Sequence, residues 1–241
     1  MRTQKTSLKS KPQTTFLGKL WRIFYKSALW FFGISIFLVI LFKFVPVPFT
    51  PLMIVRCIEQ KLAGKEIKCR HDWIAFDEMS SNLPKAVIAS EDGSFLKHNG
   101  FDFKAMQKAF KNNSKGRKLK GGSTISQQTA KNVFLWQGRS YIRKGFEAYF
   151  TFLIELVWGK KRILEVYLNS IEMGDGIYGV QAASQNWYHK NAIDLKPIEA
   201  AGIAAILPNP RKYKASNSTV YINKRKSKIM RTMRFVGKIK W

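Results

Sequence analysis

A run without one charged side chain, Ala28 to Phe42, constrains this chain more than any other feature. Trp30-Phe31-Phe32 at one end and Ile40-Leu41-Phe42 at the other make it apolar on every face, so a helix here has no polar side to show to water. Phe44 and Val45 extend the run past Lys43. At about 1.5 Å per residue, positions 28–45 cover roughly 27 Å, enough for the hydrocarbon core of a bilayer. Pro46 and Pro48 then stop the helix. Lys43 can snorkel to the near interface, while Trp21, Tyr25 and Trp30 suit the opposite one. A cleaved signal peptide would need small residues where Lys43-Phe44-Val45-Pro46 stands. The expectation is an uncleaved transmembrane anchor over 28–45, a basic tail over 1–27 and one exported domain over 46–241.

Charge sets the orientation and the partners. Arg2, Lys5, Lys9, Lys11, Lys19, Arg22 and Lys26 precede the span, and the first acid is Glu59. The positive-inside rule therefore keeps the N-terminus cytoplasmic and exports the rest. The chain has 42 basic against 15 acidic residues, a net charge of +27. Such a surface favours polyanions, and export puts intracellular nucleic acid out of reach, leaving anionic lipids and phosphorylated substrates. The tail from Arg211 to Trp241 holds eleven Lys/Arg and no acid. With Ile222, Ile229, Met233 and Val236 interleaved at near-helical spacing, it reads as a basic helix against anionic head groups. Cys57 and Cys69 could pair in an oxidising compartment, but their spacing carries no motif, and free thiols fit equally.

The exported part reads as mainly α. Asp102 starts a helix that places Phe103, Met106 and Phe110 at helical spacing. Arg143 to Trp158 carries the stripe Phe146, Tyr149, Phe150, Leu153 and Val157. Ile163, Leu164, Tyr167, Leu168 and Ile171 make a second stripe. Val180–Trp187 follows a glycine turn over Gly174–Gly179, and Pro197–Ile206 is an alanine-rich helix stopped by Pro208-Asn209-Pro210. Phe49 to Ile58 is apolar enough either to face a membrane or to close a core. Strand signals are sparse, and no linker or repeat divides the domain.

Acids are few enough that their positions carry information. Glu91 ends the apolar segment Ala86-Val87-Ile88-Ala89-Ser90; burial there raises a carboxyl pKa, as a general base near neutrality requires. As a bland alternative, Glu91 and Asp92 would only cap the turn before Phe95, and His98-Asn99-Gly100 would be a plain turn. Glu147 follows 56 residues later, and its bland role is an i,i+4 ion pair with Arg143. Two such carboxylates resemble a glycosyl-transfer pair. Between them, Gly121-Gly122-Ser123-Thr124 can bring backbone N–H groups to phosphate oxygens, with a helix N-terminus at Thr124 or Ile125. Gln127 and Gln128 can donate to sugar hydroxyls, and Lys131, Arg139, Arg143 and Lys144 suit a pyrophosphate. His71, His98 and His189 are scattered, with no His-Glu-x-x-His or Cys-x-x-Cys, so no protein metal site is expected.

In order, the chain carries Glu91-Asp92-x-x-Phe95-x-x-His98-x-Gly100, Gly121-Gly122-Ser123-Thr124-Ile125-x-Gln127-Gln128, Arg143-Lys144-x-x-Glu147, Lys160-x-x-Ile163-Leu164-Glu165-x-Tyr167-Leu168-Asn169, and Gly179-x-x-Ala182-Ala183. In these five motifs, over residues 65–215, it resembles the monofunctional biosynthetic peptidoglycan glycosyltransferases (transglycosylases) of glycosyltransferase family 51. Ser126 stands where that family more often has threonine, and the hydroxyl is kept. Met173-Gly174-Asp175-Gly176 is less aromatic than in many relatives.

The resemblance implies a lysozyme-like helical domain behind one N-terminal transmembrane helix, in the bacterial inner membrane and facing the periplasm. It implies polymerisation of lipid II, with lipid-linked glycan chains as donor and cell-division or elongation proteins as partners. Glu91 would take the proton from the acceptor GlcNAc 4-hydroxyl, and a β-1,4 bond would form with inversion. Glu147 would support the donor side. Lys131, Arg139, Arg143 and Lys144 would contact pyrophosphate or glycan, while Asp92, His98, Ser123, Thr124, Gln127 and Gln128 shape the cleft. Mg or Mn would be held mainly through the substrate pyrophosphate, with no organic cofactor. Glu165 and Asn169 read as structural. Ser94-x-x-Lys97 matches a transpeptidase signature, but no Lys-Thr-Gly accompanies it, so no transpeptidase activity is expected. Two other readings remain: a lysozyme-like glycan-cleaving enzyme using Glu91 as acid, and a non-enzymatic anchored basic adapter.

Overall fold

The computed structural model describes residues 16–114, 122–138, 140–237, 239 and 241. They form two compact units, one ending at Leu41 and one running from Phe42 to Trp241. The first is built on α1 (Phe16–Phe44), a helix of mean hydropathy 2.1 over its apolar window, long and apolar enough to cross a membrane. It starts well before Ala28 because Lys19, Arg22 and Lys26 are good helix formers, and nothing at the edge of the apolar run breaks it.

The second unit is helical with one small sheet. Its helices are α2 (Pro51–Leu62), α3 (Asn82–Glu91), α4 (Phe103–Ser114), α5 (Ile125–Phe134), α6 (Tyr141–Val157), α7 (Gly159–Ser170), α8 (Val180–Tyr188), α9 (Pro197–Ile206) and α10 (Val220–Val236). Strands β1 (Arg70–His71), β2 (Glu172–Gly174) and β3 (Ile177–Tyr178) pair in the order β1-β3-β2, β1 parallel and β2 antiparallel to β3. Strands of two or three residues are too short for alternation to show in a sequence, and they pass unseen there.

Two helical groups make the core: α9 packs on α3 and α10, and α5 packs on α6 and α7. The alanines of α9 let it enter the core after an exposed first turn, with every residue from Ala200 to Ile206 buried. Ile163, Leu164, Tyr167, Leu168 and Ile171 on and after α7 are also buried, as their spacing predicts. In α6 the buried line is Glu147, Phe150, Thr151 and Ile154, so an acid sits in the face that the stripe of Phe146, Tyr149 and Leu153 only flanks. In α4 the stripe faces outward, with Phe103 and Phe110 exposed. Segment 49–58 is divided: Leu52 and Met53 of α2 pack on Tyr178 and close a core, while Ile54 and Ile58 are exposed. Asn169 clamps Ile74 through both its N–H (3.1 Å) and its C=O (3.0 Å), the structural role expected of it. Cys57 and Cys69 are free thiols; burial and the adjacent Cys57 thiol push Cys69 up to about 11.

Candidate active site

Glu91 is the last residue of α3, whose Leu83, Ala86, Val87 and Ile88 are buried against α9 and α10. That packing fixes where the helix ends and so where the carboxyl lies. Ser90 Oγ donates to Oε1 at 3.1 Å and Gln128 Nε2 to Oε2 at 3.4 Å. Burial is the largest influence and pushes Glu91 above the usual carboxylate range, with Asp92 adding to it; Gln128, Ser90 and the Arg225 guanidinium of α10 act the other way. The residue is only half-buried, and it lines a cavity of about 90 Å³ together with Gly93, Ser94, Asp102, Gly122 and Ser123. A carboxyl with a raised pKa and an open edge can take a proton from a hydroxyl placed in that cavity.

Asp92 is spent on architecture. Both its oxygens lie 3.0 Å from His98 Nε2, and Oδ2 accepts the N–H of Ile125 at 3.0 Å, at the first turn of α5. A carboxylate there satisfies an otherwise unpaired donor and suits the positive end of the helix. Thr124 and Gln127 form a reciprocal capping box: Gln127 N–H reaches Thr124 Oγ1 at 3.2 Å, and Thr124 N–H reaches Gln127 Oε1 at 3.0 Å. The N–H groups of Thr124, Ile125 and Gln127 are thus taken by the protein itself. Of the turn expected to bring N–H groups to phosphate, Thr124 is therefore engaged within the protein, and Gly121 lies outside the described residues. Thr124, Gln127 and Asp92 are all buried, whereas Ser123 is exposed in the cavity.

Gly100 completes this corner. It has φ +83°, and a Cβ there would come within 2.9 Å of Thr151 on α6. Its carbonyl accepts Thr124 Oγ1 at 2.6 Å, tying the first motif to the second. Ser94 donates to Asp102 rather than to Lys97, so the Ser-x-x-Lys match has no nucleophile geometry.

Glu147 is 3 % exposed on α6, and Arg143 Nη1 meets its Oε2 at 2.9 Å while Lys144 meets Oε1. The bland ion pair does form, and it explains how an acid survives on a buried face. Lys131 of α5 joins the group: burial lowers its pKa, Glu147 raises it, and Arg143 and Lys144 lower it again. Two cations therefore pair with this carboxylate, and a third, Lys131, feels its charge without pairing with it. Arg143 Nε is buried with no hydrogen-bond partner among the described residues, and Ser140, Tyr141, Arg143 and Lys144 line a cavity of about 370 Å³. An excess of cations over carboxylates beside open space can hold an anion. Arg139 lies outside the described residues.

One helix joins the two clusters. Along α5 every residue from Ile125 to Val133 is buried except Gln128 and Lys131, one turn apart on the same face. Gln128 meets Glu91, and Lys131 is within electrostatic reach of the Glu147 group.

Three participants escape a sequence reading. Arg225 sits in a run of cations where nothing singles it out. Tyr167 looks like one more core residue. Glu155 accepts Ser126 Oγ at 2.5 Å and Lys160 Nζ at 2.7 Å, with Lys160 lying 4.6 Å from the Phe95 ring centre; it binds the first, second and fourth motifs into one body. The acceptance by Glu155 also explains why a hydroxyl is needed at Ser126.

The transglycosylase family model matches residues 59–234, reaching from α2 through most of α10. A biosynthetic peptidoglycan transglycosylase of Bacteroides thetaiotaomicron is 51% identical over 210 residues, covering 87% of this chain and 85% of that protein. One from Caulobacter vibrioides is 55% identical over 191 residues, 79% of this chain and 81% of its own. A third, from Pseudomonas syringae pv. syringae, is 47% identical over 221 residues, 92% and 94% of the two chains. The chain belongs to the transglycosylase family, among the biosynthetic peptidoglycan glycosyltransferases.

Proposed function

We propose that this chain polymerises lipid II into glycan strands, with Glu91 as general base and the Glu147 group as the site of the leaving pyrophosphate. The observation that carries the reading is the open face of α5, which sets Gln128 against Glu91 and Lys131 within electrostatic reach of Glu147, the two residues about 5 Å apart along the helix. A proton acceptor and an anion site side by side are what this transfer needs. The acceptor GlcNAc 4-hydroxyl gives its proton to the Glu91 carboxylate, and its oxygen attacks C1 of the donor MurNAc from the face opposite the pyrophosphate. The C1–O bond breaks, its electron pair leaves on undecaprenyl pyrophosphate, and a β-1,4 bond forms with inversion. Lys131, Arg143 and Lys144 neutralise the departing charge, with Arg139 assigned to the same task by its place in the sequence. Glu147 holds those cations in place. Asp92, His98, Thr124 and Gln127 act by fixing the cleft, and Ser123 and Gln128 face the substrate.

Among the described residues no three His, Cys, Asp or Glu side chains converge on a metal position. Both Glu147 oxygens are already occupied. Mg²⁺ or Mn²⁺ would therefore be held through substrate phosphates. The N-terminus lies in the cytoplasm, α1 spans the inner membrane and the catalytic unit is periplasmic. Glycan polymerisation is the sole activity of this unit, without transpeptidation. Anionic lipids and cell-division or elongation proteins belong to the same reading as partners. Glycan cleavage is disfavoured because hydrolysis has no pyrophosphate for three cations to hold.

Steady-state polymerisation rates test the assignment. Glu91→Gln is expected to lose about 10²-fold or more in kcat, the scale of a lost general base. A near-normal rate would remove Glu91 from that role.

A further inference from the structure

Tyr167 lies on α7, fully buried at 0 % exposure. A buried tyrosine hydroxyl needs a partner, and this one reaches Gln128 Oε1 at 3.1 Å. The other end of the same amide, Nε2, points at Glu91 Oε2. An amide has one acceptor end and one donor end; turned by half a rotation, it would set its oxygen against the carboxylate. Donation from Tyr167 to Oε1 opposes that rotation. Burial holds Tyr167 well above the ordinary tyrosine range, with Glu91 and Asp92 adding to the effect, so the hydroxyl keeps its proton and remains a donor.

We propose, resting on the reading of Glu91 as general base, that Tyr167 is a positioning residue that locks the Gln128 amide with its N–H toward Glu91. The hydroxyl acts from behind Gln128 and touches no substrate. The Gln128 N–H favours the carboxylate form, the form that accepts the acceptor's proton. The other groups around Glu91 are Ser90 on α3, Asp92 beside it and Arg225 on α10. Of these, Asp92 opposes the carboxylate form and is itself engaged by His98. Arg225 supports it from a helix that Tyr167 does not steer.

Tyr167→Phe removes one oxygen and keeps the ring. The test is the pH dependence of kcat/KM on lipid II, using the full chain. With the N–H no longer held on Glu91, burial is less opposed, and the acid limb moves to higher pH. The expected loss is about three- to tenfold on the acidic side, shrinking toward the alkaline plateau. Gln128→Met moves the limb in the same direction, and the double variant moves it no further than Gln128→Met alone. Additive shifts, or a uniform loss at every pH, would overturn the proposal by reducing Tyr167 to packing. Should thermal unfolding show that Tyr167→Phe does not fold, Gln128→Met still decides, because an unmoved acid limb there removes the route. Glu91→Gln run in parallel separates the two readings. If it is inactive while the limb of Tyr167→Phe is unmoved, only the relay fails; if it is active, the base assignment fails.

Discussion

As the proposed general base, Glu91 combines two requirements that pull against each other: burial enough to raise its pKa and an edge open enough to meet a hydroxyl. The first has a cost that shows in stability. Its folded pKa is raised, so between the unfolded and folded values the unfolded chain binds fewer protons, and stability falls as pH rises through that window. Above it the ionised carboxyl stays a burden that a glutamine would not impose. Glu91→Gln is therefore expected to unfold at a slightly higher temperature than wild type at neutral pH and at about the same temperature in acid; a lower midpoint at neutral pH would contradict this. Glu147 is the opposite case, an acid whose removal leaves Arg143, Lys144 and Lys131 crowded without a counter-charge. Glu147→Gln should lose about 10²-fold in polymerisation rate, and unaltered kinetics would detach that cluster from the chemistry. Glu91 was legible because an acid at the end of an apolar segment is conspicuous. The partners of Asp92 were not: His98 and the N–H of Ile125 are brought to it by the fold.

Helix α5 shows what local signals can and cannot reveal. Thr124 and Gln127 stand at the spacing of a capping box, and the helix begins at Ile125 as that spacing predicts. Which donors remain for a ligand is a tertiary matter, because the Ile125 N–H is claimed by a residue 33 positions earlier. Asp92→Asn should weaken this junction by about 1–3 kcal/mol, the cost of losing a charged partner at a buried donor. For a domain of this size that is a fall of about 2–10 °C in Tm, and an unchanged midpoint in a thermal melt would show the junction carries nothing. Periodicity found α7, α8 and α9 closely, since a wholly buried or alanine-rich helix declares itself. It found α4 and α6 as well but not which way they turn: Phe103 and Phe110 face outward, and the buried line of α6 runs through Glu147. The three short strands left no pattern to read.

The molecule as a whole has an apolar helix and a second, catalytic unit, and its net charge of +27 must be balanced by something. Its second unit also exposes Phe49, Ile54, Ile58, Phe103 and Phe110. A chain reduced to residues 46–241 is accordingly expected to bind vesicles containing anionic lipid more tightly than neutral ones and to be released by salt; binding indifferent to lipid charge would refute that surface. All of this serves one claim, that an anchored protein joins lipid-linked sugars through Glu91. The most direct measurement is to incubate detergent-solubilised full-length protein with labelled lipid II, with Glu91→Gln beside it, and to digest the products with lysozyme. Lysozyme-sensitive polymer from the wild type alone is the predicted result. Absence of polymer, with cleavage of preformed glycan strands in its place, would contradict the account and make Glu91 an acid rather than a base.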